Sequence, residues 1–346
     1  MSDRAAAIAA FLDRSGWGAA RRGFLAGDAS FRRYDRLEGQ GGARAVLMDA
    51  PPPQEDVRPF AAIARHLRGL GLSAPEILAE DPAAGLLLIE DLGDGLMARL
   101  LADGADPEPL YTLAVDGLAA LHDHGPAALP GAGVPPYDLE PLLREACLLT
   151  DWFLPAALGR PTAPAVRADY VDAWKAVLGP ALAGPPTLVL RDFFPDNLMV
   201  LPDRPGVASL GLLDFQDALA GHPAYDLVSL LEDARRDVPE ALAGAMIERY
   251  LAARPGTDRA AFLAAYRVLG AQRHAKVIGI FTRLWKRDGK PGYMRHMARL
   301  WRLLERAAAD PALAPLARWL DHHIPSRNRA APPGAESRKA QAPCTP

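Results

Sequence analysis

The sequence pattern of the chain changes near residue 94, and this change constrains the fold more than any other feature. Before it, short apolar segments bounded by glycine, proline and aspartate are typical of strands joined by turns. They predict a hairpin and a third strand between residues 23 and 48, then two strands joined by an Asp-Pro turn within 75–95. Residues 54–70 have helical apolar spacing. We therefore predict a small α+β unit of five strands and one helix ending at about residue 94.

Beyond residue 94 the apolar spacing is mostly helical. Candidate helices cover 107–124, 138–158, 164–179, 223–235, 239–253, 257–285 and 291–309. Residues 187–216 interrupt them with short apolar runs typical of strands. The end of the chain, 326–346, has too little apolar content to pack, and we expect it to be disordered. The sequence thus predicts an α+β protein with one unit over 1–94 and a larger helical unit over 95–325.

Composition excludes several classes of protein. A formal net charge of -3 gives no general attraction to nucleic acid or to an acidic membrane surface. The 2 cysteines argue against a disulfide framework and against a cysteine-based zinc site. No segment approaches the roughly 18 consecutive apolar residues of a membrane span.

The apolar run at the start is short and is followed by Asp13 and Arg14, so it indicates a first helix rather than a signal peptide. We expect a cytoplasmic monomer that binds neither nucleic acid nor membrane.

The interruption at 187–201 reads "TLVLRDFFPDNLMVL" and places Asp192 and Asn197 five residues apart between two apolar runs. Asp, Asn and Pro are turn formers, so a simple hairpin turn is one interpretation. A catalytic loop is the other. Because Asp-x4-Asn is short enough to occur by chance, this stretch does not decide between them.

A second acidic motif favours the catalytic interpretation. In "LGLLDFQDA" an apolar run typical of a buried strand ends on Asp214, a hairpin-sized distance after Asn197. Asp192, Asn197 and Asp214 would then supply one base and two oxygen ligands. Mg²⁺ prefers oxygen donors and usually takes one or two carboxylates together with substrate phosphates. Phosphoryl transfer needs such a metal and a carboxylate that orients the attacking hydroxyl.

The string "LRDFFPDNLMVL…GLLDFQDALAGHPAYDLVSLLED" resembles the catalytic core of the aminoglycoside phosphotransferase-like kinases, which have a bilobal, protein-kinase-like fold. The resemblance covers about residues 20–310. "GDASFRRYDRL", "VLMDAPP" and "QRHAKVIGIFTRLWKRDGKPGYMRH" are more similar to the N-acetylmuramate/N-acetylglucosamine anomeric kinases. That resemblance implies phosphorylation of the sugar C1 hydroxyl by ATP and Mg²⁺ during bacterial peptidoglycan recycling. The alternatives are an aminoglycoside, choline or homoserine kinase, or a nucleotide-binding pseudokinase scaffold.

The resemblance also implies roles for individual residues. Asp192 matches the catalytic base, and Asn197 and Asp214 match the magnesium ligands. The residues matched to ATP binding are the phosphate loop and the segment linking the lobes: Asp28, Ala29, Ser30, Phe31, Arg33, Glu90, Asp91 and Leu92.

One family feature is missing. The lysine that clamps the α- and β-phosphates from the third strand is absent, and Met48 stands about where it is expected. Arg32, Arg33 and Arg44 are the candidates for the missing positive charge.

Acceptor-binding residues are expected on the helix at 138–158, near the second motif and on the basic helix at 257–285. The candidates are Glu145, Asp151, Trp152, Asp217, Arg273 and Lys276. For the basic residues the alternative is a solvated helix face, and for Trp152 it is a place in the core. Arg273 and Lys276 share one face and could pair with the anionic lactyl group of N-acetylmuramate.

Overall fold

The computed structural model describes residues 3–27 and 31–335. The chain divides into two compact units. Unit 1 comprises Met1–Val134 and Leu190–Ala218, and unit 2 comprises Pro135–Val189 and Leu219–Pro346. These units differ from the predicted lobes because 95–134 and 190–218 belong with the N-terminal sheet. The lobe boundary at residue 94 stays a prediction about catalytic lobes.

The described residues form nine short strands. They are β1 Arg21–Gly27, β2 Arg33–Glu38, β3 Arg44–Asp49, β4 Ile77–Asp81, β5 Leu86–Glu90, β6 Thr187–Val189, β7 Leu198–Val200, β8 Leu210–Leu212 and β9 Leu219–Gly221.

The described residues also form thirteen α-helices. They are α1 Asp3–Arg14, α2 Arg58–Gly69, α3 Met97–Ala102, α4 Pro107–Asp123, α5 Leu129–Ala132, α6 Leu139–Ala146, α7 Leu154–Leu158, α8 Pro164–Val177, α9 Ala224–Leu231, α10 Glu240–Ala253, α11 Arg259–Asp288, α12 Met297–Ala308 and α13 Ala314–His323. None of these helices is both long and apolar enough to cross a membrane.

Unit 1 is built on an antiparallel sheet with the strand order β1-β2-β3-β5-β4, which confirms the five predicted strands. Alternate side chains of a strand point to opposite faces of the sheet. On one face, Leu47 of β3 and Leu88 of β5 belong to a core cluster with Phe11 of α1. On the other face, Val46 and Ile89 are paired across β3 and β5 and line a cavity. The central strands are therefore apolar on both faces, one facing the core and one facing a cavity.

The two apolar runs that flank the Asp192 loop do not pair with each other. β7 pairs with β8 inside unit 1, and β6 pairs with β9 inside unit 2. The simple hairpin interpretation is therefore wrong. The hairpin in this region is formed instead by β7 and β8, which are joined by a connection of about nine residues.

Unit 2 is organised around α11, which packs against α6, α9 and α12. Asp258 caps its start by accepting a hydrogen bond from the Ala261 N–H, and Gly289 ends it in a left-handed conformation with φ 65°. The helix predicted over 138–158 is broken into α6, a π-helical turn at Leu149–Phe153, and α7. The break lies beside a close approach of α11 to the backbone, where a Cβ on Gly279 would stand 2.3 Å from the Leu148 carbonyl carbon.

Three helices and part of the end of the chain depart from the prediction. Helices α3, α5 and α13 were not predicted, although α13 buries Leu316 and Leu320. Residues 326–335, which we expected to be disordered, pack through Arg329. Its guanidinium lies 2.9 Å from Glu305 and 2.6 Å from Asp321. Residues 336–346 lie outside the described residues.

We predict that Gly279→Ala lowers the free energy of unfolding by about 1–3 kcal/mol, because its methyl group would push into the Leu148 backbone. Urea denaturation measures this change. Gly244→Ala in α10 is the matched control, since nothing lies within 4 Å of its Cβ position. The control should be more stable than wild type by about 0.5–1 kcal/mol. Equal effects of both substitutions would contradict the proposed close packing.

Candidate active site

The loop that carries Asp192 is held by its own backbone and by Asn197. Arg191 has φ 70°, and the Asp192 N–H donates to the Leu190 carbonyl at 2.9 Å, which makes a three-residue turn. The Asn197 side-chain nitrogen donates to the Asp192 carbonyl at 2.9 Å. Buried Phe193 anchors the middle of the loop. A left-handed non-glycine residue persists only where its surroundings enforce it, and such strain clusters at functional sites.

Strand pairing places Asn197 next to the second motif. β7 and β8 are in a register that pairs Leu198 with Leu212, and the Leu213 N–H donates to the Asn197 carbonyl at 2.9 Å. Asp214 follows directly and adopts φ 54°. Both Asn197 and Asp214 line the cavity next to the sheet. The two predicted oxygen ligands therefore lie at the same end of one hairpin.

The side-chain chemistry of this pair fits a divalent cation that also binds a ligand's oxygens. The Asn197 amide nitrogen is engaged by the Asp192 carbonyl, which directs the amide oxygen away from the loop. Asp214 contributes a carboxylate. Within the described residues, no group of three or more His, Cys, Asp or Glu side chains could hold a metal. Mg²⁺ suits such an incomplete set because it usually keeps phosphate or water oxygens among its ligands.

Gln216 and Arg32 both help to orient the Asp214 carboxylate. The Gln216 side-chain nitrogen donates to Asp214 Oδ1 at 2.8 Å. The guanidinium of Arg32 donates to the same oxygen at 3.2 Å. The Arg32 side chain is only 8% exposed, and its Nε lies 4.0 Å from Glu55. Arg32, one of three candidates for the missing lysine charge, therefore lies beside a predicted metal ligand.

The cavity measures about 560 Å³ and lies within unit 1. This volume is in the range of small-molecule sites. Its apolar lining comes from strands β1, β3 and β5 of the sheet and from the β7–β8 region. These lining residues are Leu25, Val46, Ile89, Met199 and Leu213. Polar groups lie at Asn197 and Asp214. A ligand with a flat apolar part matches this lining, and an anionic part would need a cation between it and the Asp214 carboxylate.

The segment after β5 supplies main-chain groups to the cavity. Glu90, Asp91 and Leu92, which were predicted to bind ATP, all line it. The Glu90 N–H already donates to the Glu76 carbonyl at 2.9 Å. Among the described residues, Leu92 N–H and C=O have no hydrogen-bond partner in the structure. Leu92 is partly buried beside the cavity, and its unpaired main-chain groups are available to hydrogen-bond a ligand.

Arg36 fixes the conformation of this segment. Its guanidinium lies 2.7 Å from Asp91 and 2.7 Å from Asp94, and it donates to the Gly93 carbonyl at 2.9 Å. The hydrogen bond and charge of Arg36 lower the pKa of Asp94. The segment is thus held in one conformation before any ligand binds.

Other predicted nucleotide residues are not brought to the cavity. Arg33 is half-exposed and pairs with Asp35 at 2.9 Å. Phe31 is 70% exposed, and its N–H donates to Glu55 at 3.1 Å. Neither residue lines the cavity. Asp28, Ala29 and Ser30 lie outside the described residues.

Two predicted acceptor residues meet in a buried polar cluster in unit 2. Lys276 Nζ lies 3.1 Å from Glu145 Oε2 and donates to the Tyr225 hydroxyl at 3.1 Å. The Tyr137 hydroxyl donates to the same Glu145 oxygen. We call Tyr137, Glu145, Tyr225 and Lys276 the tyrosine–lysine cluster. Sequence reasoning missed its two tyrosines, because nothing in their local pattern distinguishes them from core residues.

The remaining acceptor candidates are dispersed. Asp151 pairs with Arg167 at 2.8 Å on the surface, and Trp152 is partly buried. Asp217 is exposed. Arg273 is 3% exposed and Lys276 is 8% exposed. The solvated-face interpretation of the basic helix is therefore wrong for these two residues, since α11 is covered by neighbouring helices on that side.

The antiparallel N-terminal sheet, the helical unit and the paired Asn197 and Asp214 together have the features of a phosphotransferase of the kinase-like class. Comparison with known proteins supports this. The chain belongs to the phosphotransferase enzyme family, whose model matches residues 23–263.

Two relatives are similar to this chain over most of their length. An N-acetylmuramate/N-acetylglucosamine kinase of Caulobacter vibrioides is 43% identical over 95% of this chain and 99% of its own. A kinase of the same name from Pseudomonas aeruginosa is 40% identical over 84% of this chain and 84% of its own. The resemblance stated from the sequence is therefore confirmed.

Solved structures support the fold. The GDP complex of aminoglycoside 2'-phosphotransferase-IIIa has a TM-score of 0.61 at 17% identity and covers 89% of this chain and 99% of its own. A choline/ethanolamine kinase family protein from Mesorhizobium loti has a TM-score of 0.60 at 15% identity and covers 92% of this chain and 99% of its own. The predicted kinase-like α+β fold is confirmed.

We predict that Lys276→Met destabilises the protein by about 3–5 kcal/mol, because it leaves the Glu145 carboxylate buried without its cation. Adding Glu145→Gln to this variant should recover much of the loss, and urea denaturation measures both effects. Lys175→Met is the control. Lys175 is half-exposed and pairs with Asp172 one helical turn away, so its loss should cost no more than about 1 kcal/mol. A loss of sugar binding without a loss of stability would instead indicate direct acceptor contact.

Proposed function

We propose that this protein is an ATP-dependent kinase that phosphorylates the anomeric C1 hydroxyl of N-acetylmuramate and N-acetylglucosamine. Its cellular role would be peptidoglycan recycling in the cytoplasm. Two kinds of support converge on this proposal. The relatives named for both sugars match 95% and 84% of this chain. The observation that carries the chemistry is that Asn197 hydrogen-bonds both the Asp192 carbonyl and the Leu213 N–H, and that Asn197 and Asp214 line one cavity.

In this proposal the nucleotide base occupies the apolar part of the cavity. Val46 and Ile89 would contact one face of the base, and Met199 and Leu213 would contact the other. The main-chain N–H and C=O of Leu92 would hydrogen-bond the adenine edge. The triphosphate would then extend toward Asn197 and Asp214, where oxygen donors are placed. Phe31 and the loop at 28–30 stay predicted phosphate contacts.

The reaction would proceed by direct transfer between ATP and the sugar. Asp192 would orient the C1 hydroxyl and accept its proton while the sugar oxygen bonds to the γ-phosphorus and ADP leaves. Asn197 and Asp214 would hold Mg²⁺, which when bound neutralises charge on the phosphates. The hydrogen bond from the Asn197 side chain to the Asp192 carbonyl would keep the base and one ligand in a fixed relation.

We predict that Asp192→Asn lowers kcat by about 10²–10⁴-fold, since the variant cannot accept the proton. Its affinity for the nucleotide should stay close to wild type. Asp214→Ala should lower kcat at least as much and should also weaken nucleotide binding in the presence of Mg²⁺, because a metal ligand is lost. Steady-state kinetics and isothermal titration calorimetry measure these effects. A near-normal kcat in either variant would remove that residue from the mechanism.

We predict that the site of transfer follows the C1 hydroxyl. ADP release should occur with N-acetylglucosamine, N-acetylmuramate and the 6-deoxy analogue of N-acetylglucosamine, but not with its 1-deoxy analogue. Phosphorus–proton correlation NMR of the product should place the phosphate on C1. Kanamycin, choline and homoserine serve as competing acceptors. Preferred turnover of any of these three would overturn the sugar assignment and leave the phosphotransferase chemistry in place.

A further inference from the structure

We propose that Arg99 of α3 binds the α-phosphate of the nucleotide and supplies a positive charge at the cavity wall. This inference rests on the proposed use of ATP at the cavity of unit 1. It deepens that proposal, because it names a side chain of this protein that contacts phosphate directly.

The wall of the cavity carries more acidic than basic side chains. Five acidic residues line it, namely Glu90, Asp91, Asp94, Asp196 and Asp214. Among the residues that the structure describes, Arg99 is the one lysine or arginine in the lining. Carboxylates repel a phosphate, so a cation is needed at the wall where the phosphate lies. Arg99 is the side chain of the lining that can provide it.

Neighbouring positions of the sheet do not put a cation on this wall. Arg36 lies 2.7 Å from both Asp91 and Asp94, but it does not line the cavity. Arg32 does not line it either. Met48, which stands about where the lysine of the third strand is expected, is neutral and only 1% exposed. The phosphate-binding charge therefore has to come from outside the sheet, and α3 is outside it.

The guanidinium of Arg99 is held by one long ion pair in the described part of the chain. Its Nε lies 3.8 Å from Asp103, four residues further along, and both side chains are 69% exposed. Such an exposed pair contributes little and is weakened by salt. A guanidinium is always charged and presents five N–H donors in a planar fork, which suits two oxygens of one phosphate. Arg99 can therefore turn to a phosphate without breaking a strong contact.

The start of α3 is fixed against the strand that follows the predicted metal ligand. The Gly95 carbonyl accepts the Val200 N–H at 2.7 Å, and a Cβ on Gly95 would stand 2.4 Å from the Val200 carbonyl oxygen. The helix also packs against the turn Pro195–Asn197. Arg99 thus lies on an element that runs from the segment around Leu92 to the Asn197 end of the cavity.

This location selects the α-phosphate. In the proposed binding mode the base lies against Leu92, and the terminal phosphates lie at the predicted metal ligands. The α-phosphate is between these two ends of the nucleotide. The hydrogen bond and charge of Arg36 lower the pKa of Asp94, and the charge of Arg99 adds to this effect. The field of Arg99 therefore reaches the part of the lining that follows Leu92.

The test compares ligands that differ only in their phosphates. Isothermal titration calorimetry in excess Mg²⁺ gives the affinities for adenosine, AMP and ADP. Arg99→Met should weaken the binding of AMP and ADP by about 5–20-fold and leave that of adenosine within about twofold, as expected for an exposed charge-assisted hydrogen bond to phosphate. The loss should shrink as KCl is added, because salt screens exposed charges. Arg99→Lys should bind AMP and ADP with intermediate affinity.

Arg144→Met is the matched control. Arg144 is also 69% exposed and pairs at 3.7 Å with Glu140, four residues away, but it does not line the cavity. Its affinities should equal those of wild type. Unchanged affinities for AMP and ADP in Arg99→Met would overturn the inference, and so would an equal loss for adenosine, which would place the contact at the base or ribose. A loss for ADP but not for AMP would overturn the assignment to the α-phosphate. Failure of the wild-type protein to bind adenosine and ADP would overturn the proposed function itself.

Discussion

The candidate site depends on the pairing of β7 with β8. This short hairpin aligns Leu198 with Leu212, and its register places Asn197 beside Leu213 and next to Asp214. A shift of one residue would turn every side chain to the other face, and the two oxygen donors would no longer lie together. Asn197 then reaches back to the Asp192 carbonyl, so the same register also fixes the position of the predicted base.

Hydrogen bonds and ion pairs hold the charged side chains around this hairpin in place. Asp214 is partly buried and accepts hydrogen bonds from Gln216 and Arg32, so its carboxylate is oriented rather than mobile. On the other side of the cavity, Arg36 holds Asp91 and Asp94 and thereby fixes the segment around Leu92. Rigid placement of such groups before binding reduces the ordering cost of binding.

In unit 2, the basic residues of α11 that were expected to be exposed are buried. Arg273 and Lys276 share a face of α11, and exposure was the simple expectation for such a pattern. That face is covered, however, because the lack of a side chain at Gly279 lets α11 approach the backbone at Leu148. Lys276 finds its partners inside the tyrosine–lysine cluster. A buried cation is stable only with such partners. Helical spacing reveals which residues share a face, but not what covers it.

The sequence by itself determined the order of the elements and the chemistry of the site. Apolar alternation predicted β1–β5, helical spacing predicted most helices, and the Asp192, Asn197 and Asp214 motifs indicated phosphoryl transfer, because these signals are local. The tertiary structure decided which strands pair, so β6 and β7 separate into different units although one loop joins them. It also placed Arg32 beside Asp214. Those outcomes depend on contacts between residues far apart in the chain, such as Arg32 and Asp214, which no local pattern encodes.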